Sequence, residues 1–298
     1  MNPPDGADNP FAPAAVARSF GAASRGYDDA AQLQTLVRDE LLSRLTLLRE
    51  TPRVVLDLGA GTGLGAAALK RAYPRAAVTA ADLSAQMLEQ ARRHSRLWRP
   101  IRCIEADARS LPIESATVDL VFTNLMLQWV QPLDDALAEI RRVLKPGGLL
   151  LASSFGPQTL QELRAAWAAA DTEVHVNDFI DMHDVGSALQ RAGFSEPVLD
   201  VDRHLRHYAD AAALMRGIKA IGAHNVHAAR RRGLTGRAAF QRMNAAYEAQ
   251  RTPQGLPATW QVVYAVAWAP EKSPGIESAP GEFHIGIEQL RGSLRNRR

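Results

Sequence analysis

Asp57, Gly59, Gly61 and Gly63 stand at alternate positions, and their types and spacing are those of a ligand cradle. Glycine is required where the backbone turns with positive φ, or where it approaches a ligand closer than a Cβ allows. These glycines follow an apolar run, Val54 to Leu58, and precede Leu64 to Ala72, which reads as a helix. A buried parallel strand is apolar on both faces, so the run around Asp57 reads as such a strand. Strand, glycine turn and helix N-terminus together make a nucleotide pocket at the carboxyl edge of an open sheet. An ordinary βα turn accounts for one glycine but not for three in register behind an acidic residue.

Further polar residues fall where a nucleotide would meet them. Asp82, in Asp82-Leu83-Ser84, lies about twenty residues past the glycines, where a carboxylate can accept from both ribose hydroxyls. Capping of the next helix by Asp82 or Ser84 is the structural alternative, and both can hold at once. Asp107, after the run Ile101 to Glu105, can accept from the exocyclic amine of a purine or simply hold a turn. Asn124 ends the run Val118 to Thr123. Tyr27, in the segment Phe20 to Asp28, can close over a ligand as part of a lid; packing of that segment on the sheet is the alternative. His175, Asp178, Asp181, His183 and Asp184 match no metal-ligand spacing, and helix capping around Asp181 accounts for them better.

These residues need a frame. Runs reading as strands (54–58, 76–81, 101–105, 118–123, 149–153) alternate with helical patterns through short loops, which means a doubly wound parallel α/β sheet. Pro197 to Val201 reads as a sixth strand and Trp260 to Trp268 as the last, with a helical insertion of about fifty residues between them, spanning roughly 205–257. We expect a disordered leader over 1–19, a single domain over 20–270 and a loosely held tail over 271–298. No apolar stretch approaches the roughly eighteen residues of a membrane span. A net charge of +3 is too small to imply nucleic acid, and the single cysteine, Cys103, fits a reducing cytoplasm. Among nucleotides, Gly61 to Ala66 satisfies a relaxed dinucleotide pattern that would suit NAD, but an acid followed by glycines at every second place is a different register.

Leu56-Asp57-Leu58-Gly59-Ala60-Gly61-Thr62-Gly63 resembles the first motif of class I S-adenosylmethionine-dependent methyltransferases. Asp82-Leu83-Ser84, Asp107-Ala108, Leu111-Pro112 and Leu144-Lys145-Pro146-Gly147-Gly148 follow in that family's order. The resemblance implies a seven-stranded sheet, mostly parallel with its last strand antiparallel. It also implies S-adenosyl-L-methionine as cofactor, with Asp57 and Gly59, Gly61 and Gly63 under the methionine portion. Asp82 and Leu83 would then lie at the ribose, Asp107 and Ala108 at adenine, and Asn124 near the sulfonium. Ala23 to Asp28, Asn177 to Asp184, Leu214-Met215-Arg216, Lys219 to Asn225, Gly233 to Arg237 and Leu256-Pro257-Ala258-Thr259 resemble, more narrowly, the methyltransferases that esterify malonyl-acyl-carrier-protein for biotin synthesis. Methyltransferase-like assembly factors of respiratory complex I share the core and the Leu-Pro-Ala-Thr ending, which keeps a protein-modifying function, or another small carboxylic acid, as the alternative.

A malonyl carboxylate is already ionised at neutral pH, so its methylation requires position and a cation rather than a general base. The insertion supplies Arg216, Lys219 and Arg237 as candidates for the clamp; Arg216 and Lys219, three apart, share a helix face. Taken singly, each is more readily a solvated surface charge than the clamp. Arg230-Arg231-Arg232 would steer an acidic acyl carrier protein, or merely solvate a helix end. His224 and Asn225 would line an acyl tunnel or satisfy core backbone groups.

Overall fold

The computed structural model describes residues 11–223 and 236–271. Seven strands form one sheet: β1 (Val54–Leu58), β2 (Ala77–Asp82), β3 (Ile101–Glu105), β4 (Val118–Asn124), β5 (Leu144–Phe155), β6 (Ser195–Tyr208) and β7 (Leu256–Trp268), in the order β3-β2-β1-β4-β5-β7-β6. β1 to β5 pair in parallel, and β7 runs antiparallel to both its neighbours, β5 and β6. The expected doubly wound α/β sheet with its last strand reversed is therefore present. Strand order reverses between β1 and β4, which opens a crevice beyond their carboxyl ends.

The helices are α1 (Pro13–Ala23), α2 (Tyr27–Ala30), α3 (Gln32–Ser43), α4 (Leu64–Ala72), α5 (Ala85–Arg92), α6 (Leu133–Val143), α7 (Gln161–Ala168), α8 (Met182–Arg191), α9 (Ala211–Ala220) and α10 (Arg237–Glu248). Strand side chains alternate between two apolar cores. Val55 joins the core under α3, α4, α7, α9 and α10, while Leu56 and Leu58 join the core under α6 and α8. The motif Lys145-Pro146-Gly147-Gly148 belongs to β5 and serves the sheet: Lys145 Nζ donates to Asp119 Oδ1 at 2.6 Å. Asp119 Oδ2 in turn accepts from the Arg53 and Val54 amides, each at 2.8 Å, which fixes the entry to β1.

Several expected boundaries move. The disordered leader over 1–19 is corrected over its described part, because Phe11 is buried and Pro13–Ala23 is helical. Proline at the first helical position and a run of alanines make a helix there, and Ser19 Oγ ties it to the Gly222 carbonyl at 2.6 Å. The sixth strand extends from the expected 197–201 to Ser195–Tyr208, because its polar residues pair along the whole of β7. That pairing also starts β7 at Leu256, so β6 and β7 take both flanks of the helical insertion expected over 205–257 and leave α9 and α10 between them. α5 ends at Arg92, and Arg96 and Arg99 close a tight turn a few residues beyond it. Ser84 caps α5 as expected, accepting from the Met87 amide, and Asp181 caps α8, accepting from the His183 amide.

Candidate active site

The glycine turn adopts the conformation its composition demands, with φ at +71° for Gly59, +54° for Gly61 and +85° for Gly63. At Gly59 an added Cβ would lie 2.3 Å from Met126 Cγ, so glycine there admits close packing by the segment after β4. At Gly61 an added Cβ would meet nothing within 4 Å, because that Cα faces open cavity. The Gly61 amide donates to Asp82 Oδ2 at 2.8 Å, and the Ser84 amide donates to Asp82 Oδ1 at 2.8 Å. Two backbone donors thus fix the Asp82 carboxylate at the cavity wall with lone pairs to spare. Burial nevertheless raises its pKa against the opposing Ser84, Gly61 and Leu83 amides.

The cavity, about 800 Å³ with its open mouth, is lined by Gly59, Gly61, Asp82, Leu83, Asp107, Ala108, Asn124 and Tyr27 among others. Eight residues named from the sequence therefore meet on one wall system. α1 and the residues just before it roof the cavity: Phe11 and Phe20 meet the Trp129 ring edge-to-face at 5.7 and 5.3 Å. A smaller adjoining cavity is lined by Asp57, Tyr27, Asp28, Arg38, Asn124 and the glycine turn. Gly63 lines neither; its positive φ starts α4, and a Cβ there would strike the Ala91 backbone at 2.7 Å.

Asp57 is buried, accepts from the Ala66 amide, and keeps its Oδ2 without a hydrogen-bond partner. Burial pushes its carboxyl up to about 7; nearby Asp82 adds to the rise, and the Ala66 amide and Arg38 oppose it. Asp107 accepts from the Arg109 amide at 2.9 Å and from its guanidinium at 2.8 Å. Burial pushes that carboxyl up, but the Arg109 bonds prevail and hold it below the usual range. Asn124 is held at both ends, Nδ2 donating to the Gln34 carbonyl at 3.1 Å and Oδ1 accepting from Ser153 Oγ at 2.8 Å. Tyr27 borders both cavities, and burial beside Asp82 and Asp28 raises its hydroxyl pKa. Thr62 Oγ1 donates to Asp28 Oδ1 at 2.6 Å, tying α2 to the glycine turn.

The substrate clamp expected from the insertion is not assembled by the described side chains. Arg216 is exposed on α9, 3.9 Å from Asp210, and Lys219 is exposed on the same helix; neither is among the described residues lining the cofactor cavity or the smaller cavity beside it. Arg237 is exposed at the start of α10. His224, Asn225 and Arg230-Arg231-Arg232 lie outside the described residues. Sequence reading missed Arg38, whose guanidinium borders the smaller cavity and bonds Asp39 Oδ1 at 2.7 Å. Its signal was present: Ala31, Gln34, Thr35 and Arg38 recur at helical spacing and all line that cavity. Phe11 and Trp129 were also missed, whereas Phe20 belongs to the segment read as a lid.

The residues present fit a nucleoside bearing a positive charge. Asp82 offers acceptors for ribose, Leu83 and Ala108 apolar contact for a base, and Asp57 Oδ2 an unpaired acceptor against Gly65 in the wall of the smaller cavity. Fold and site together define a class I methyltransferase that takes S-adenosyl-L-methionine as its cofactor. A family model described as a methyltransferase domain matches residues 56–152. YcgJ protein of Bacillus subtilis shares the fold with a TM-score of 0.56 at 16% identity, covering 78% of this chain and 99% of that one. Phosphoethanolamine N-methyltransferase 2 of Haemonchus contortus, solved with S-adenosyl-L-methionine, gives 0.52 at 16% identity over 84% of this chain and 57% of that one. The malonyl-[acyl-carrier protein] O-methyltransferase of Laribacter hongkongensis is 47% identical over 281 residues, 90% of this chain and 95% of that relative. The chain belongs to the malonyl-[acyl-carrier protein] O-methyltransferase family.

Proposed function

We propose that this protein methyl-esterifies the free carboxyl of a malonyl thioester carried by an acyl carrier protein, masking the charge so that fatty-acid elongation can use the group as a primer for biotin synthesis. The observation that carries this reading is the 47% identity to a relative of that name along nearly its whole length. Bound S-adenosyl-L-methionine supplies an electrophilic methyl group, which a carboxylate oxygen takes while the electron pair of the broken C–S bond stays on sulfur.

The protein's own contribution is placement. Asp82 and Leu83 hold the ribose, Asp107 and Ala108 border the adenine, and Asp57 with Gly59 and Gly61 hold the amino-acid portion, with Arg38 beside its carboxylate. Asn124, immobilised at both ends, shapes the wall where the methyl is presented. Tyr27 closes that wall under the α1–α2 roof and excludes water. The substrate needs no deprotonation, in keeping with a cavity whose carboxylates are engaged by backbone amides and arginine. Among the described residues no helix is long and apolar enough to cross a membrane. With Cys103 as its single thiol we assign the protein to the cytoplasm, where the carrier resides. Growth of a biotin auxotroph lacking the malonyl methylation step tests the function. Rescue by the wild-type gene but not by Asp82→Ala is expected, and failure of the wild type with the protein expressed contradicts it.

A further inference from the structure

A third cavity lies beside the cofactor cavity, over β5 and β7, and shares the wall residue Trp129 with it. Its walls are aromatic and aliphatic: Phe155, Phe179, Ile218 and Trp260 line it, with Phe155 packed 5.4 Å from Trp260 and 5.7 Å from Phe179. Among the described residues no lysine or arginine lines it. His175 is engaged elsewhere, stacked on Trp167 at 3.6 Å with its Nε2 2.8 Å from Asp171 Oδ1. A carboxylate would therefore be uncompensated here, which argues against the malonyl carboxyl as occupant.

Two polar atoms in this lining are nevertheless unpaired. Asn177 is 7% exposed and its Oδ1, an acceptor, has no hydrogen-bond partner; Trp260 is 5% exposed and its Nε1–H, a donor, has none either. The Tyr208 hydroxyl is close enough to sense that indole N–H but lies outside hydrogen-bonding geometry. Buried polar atoms are ordinarily paired, so a ligand that pairs these two is favoured. The malonyl group carries only acceptors and cannot satisfy Asn177. A secondary amide carries one donor and one acceptor, the complement of the pair.

Resting on the malonyl-thioester reading above, we propose that this cavity seats a secondary amide on the thiol side of the substrate, with Asn177 accepting its N–H and Trp260 donating to its carbonyl. In a thioester of an N-acylated cysteamine, seven bonds separate a malonyl carboxylate oxygen from the amide nitrogen, roughly 8 Å when extended. The two cavities share the Trp129 wall, so such a chain would run past that ring from one to the other. Asn177 and Trp260 are on this account specificity-determining residues that read the carrier arm and leave the acyl group to the first cavity.

The test compares malonyl N-acetylcysteamine thioester with malonyl S-pentyl thioester, which keeps the length and lacks the amide. The wild type is expected to favour the amide substrate by about tenfold or more in kcat/KM, the discrimination given by paired buried polar groups. Asn177→Ala should bring that ratio close to one, and Trp260→Phe, which keeps the ring and removes the donor, should bring it partway. Calorimetric affinity for S-adenosylhomocysteine should stay at the wild-type value in both. A wild type that does not distinguish the thioesters, or a ratio unmoved in Trp260→Phe and Asn177→Ala, overturns the assignment. Failure of the wild type to methylate either thioester while binding cofactor would instead overturn the substrate reading on which it rests.

Discussion

At the scale of single residues, Gly61 and Asp57 do different work within one turn. Gly61→Ala places a methyl where no protein atom lies within 4 Å, at a φ of +54°. The left-handed conformation costs roughly 1–2 kcal/mol, so the fold should survive with a modest fall in midpoint. Cofactor affinity, read by calorimetry, should fall far more, tenfold or beyond, because the methyl enters the cavity; an unchanged affinity would contradict the cradle. Asp57 has its folded pKa raised to about 7, so its carboxyl favours folding only while protonated. Its contribution is complete below the unfolded value near 4 and is lost as pH rises through about 7. Asp57→Asn should flatten that slope in urea unfolding of the cofactor-free protein. A cationic ligand stabilises the ionised carboxylate, so wild-type cofactor affinity should increase across the same interval more than that of Asp57→Asn. Equal pH profiles for the two proteins would contradict the role. Asp57 and the glycines were legible because strand, turn and helix are contiguous in the chain. Arg216 and Lys219 were correctly seen to share a face, but which way that face points is settled by distant packing partners.

At the scale of elements, α1 and α2 form the roof, and the roof is pinned at two points. Ser19 Oγ holds α1 to Gly222, and Thr62 Oγ1 holds Asp28 over the glycine turn. Thr62→Val should cost about 1 kcal/mol of stability, the usual value of one such bond. The same change should speed cofactor dissociation several-fold in stopped-flow measurement. A dissociation rate equal to wild type would mean that the roof does not retain the ligand. This element was hard to read: Pro13 to Ala23 is rich in alanine and small residues and carries little apolar periodicity, and its anchors are Trp129 and Gly222, far along the chain. β6 was underestimated for a related reason. It is an edge strand with Asp200, Asp202 and Arg203 exposed, so its polar sequence concealed the ladder that pairs Val198 to Tyr208 with β7.

For the whole molecule, the sheet places both cavities at one carboxyl edge. The cofactor cavity lies over β1, β2 and β4, and the Asn177–Trp260 cavity over β5 and β7, with Trp129 between them. Alternating strands and helices made this architecture readable in the sequence. The second cavity was not readable, since its lining comes from elements scattered between Trp129 and Trp260. A carrier protein is acidic, so the Michaelis constant for carrier-bound substrate should rise with ionic strength while that for a small malonyl thioester holds steady. Equal salt responses would remove electrostatic docking. The central claim is tested most directly by mass spectrometry of malonyl-loaded acyl carrier protein after incubation with the enzyme and S-adenosyl-L-methionine. The account predicts a gain of one methylene unit that leaves the carrier together with the acyl group when the thioester is cleaved. An unmodified malonyl group, or a methyl found on a protein side chain instead, would contradict it.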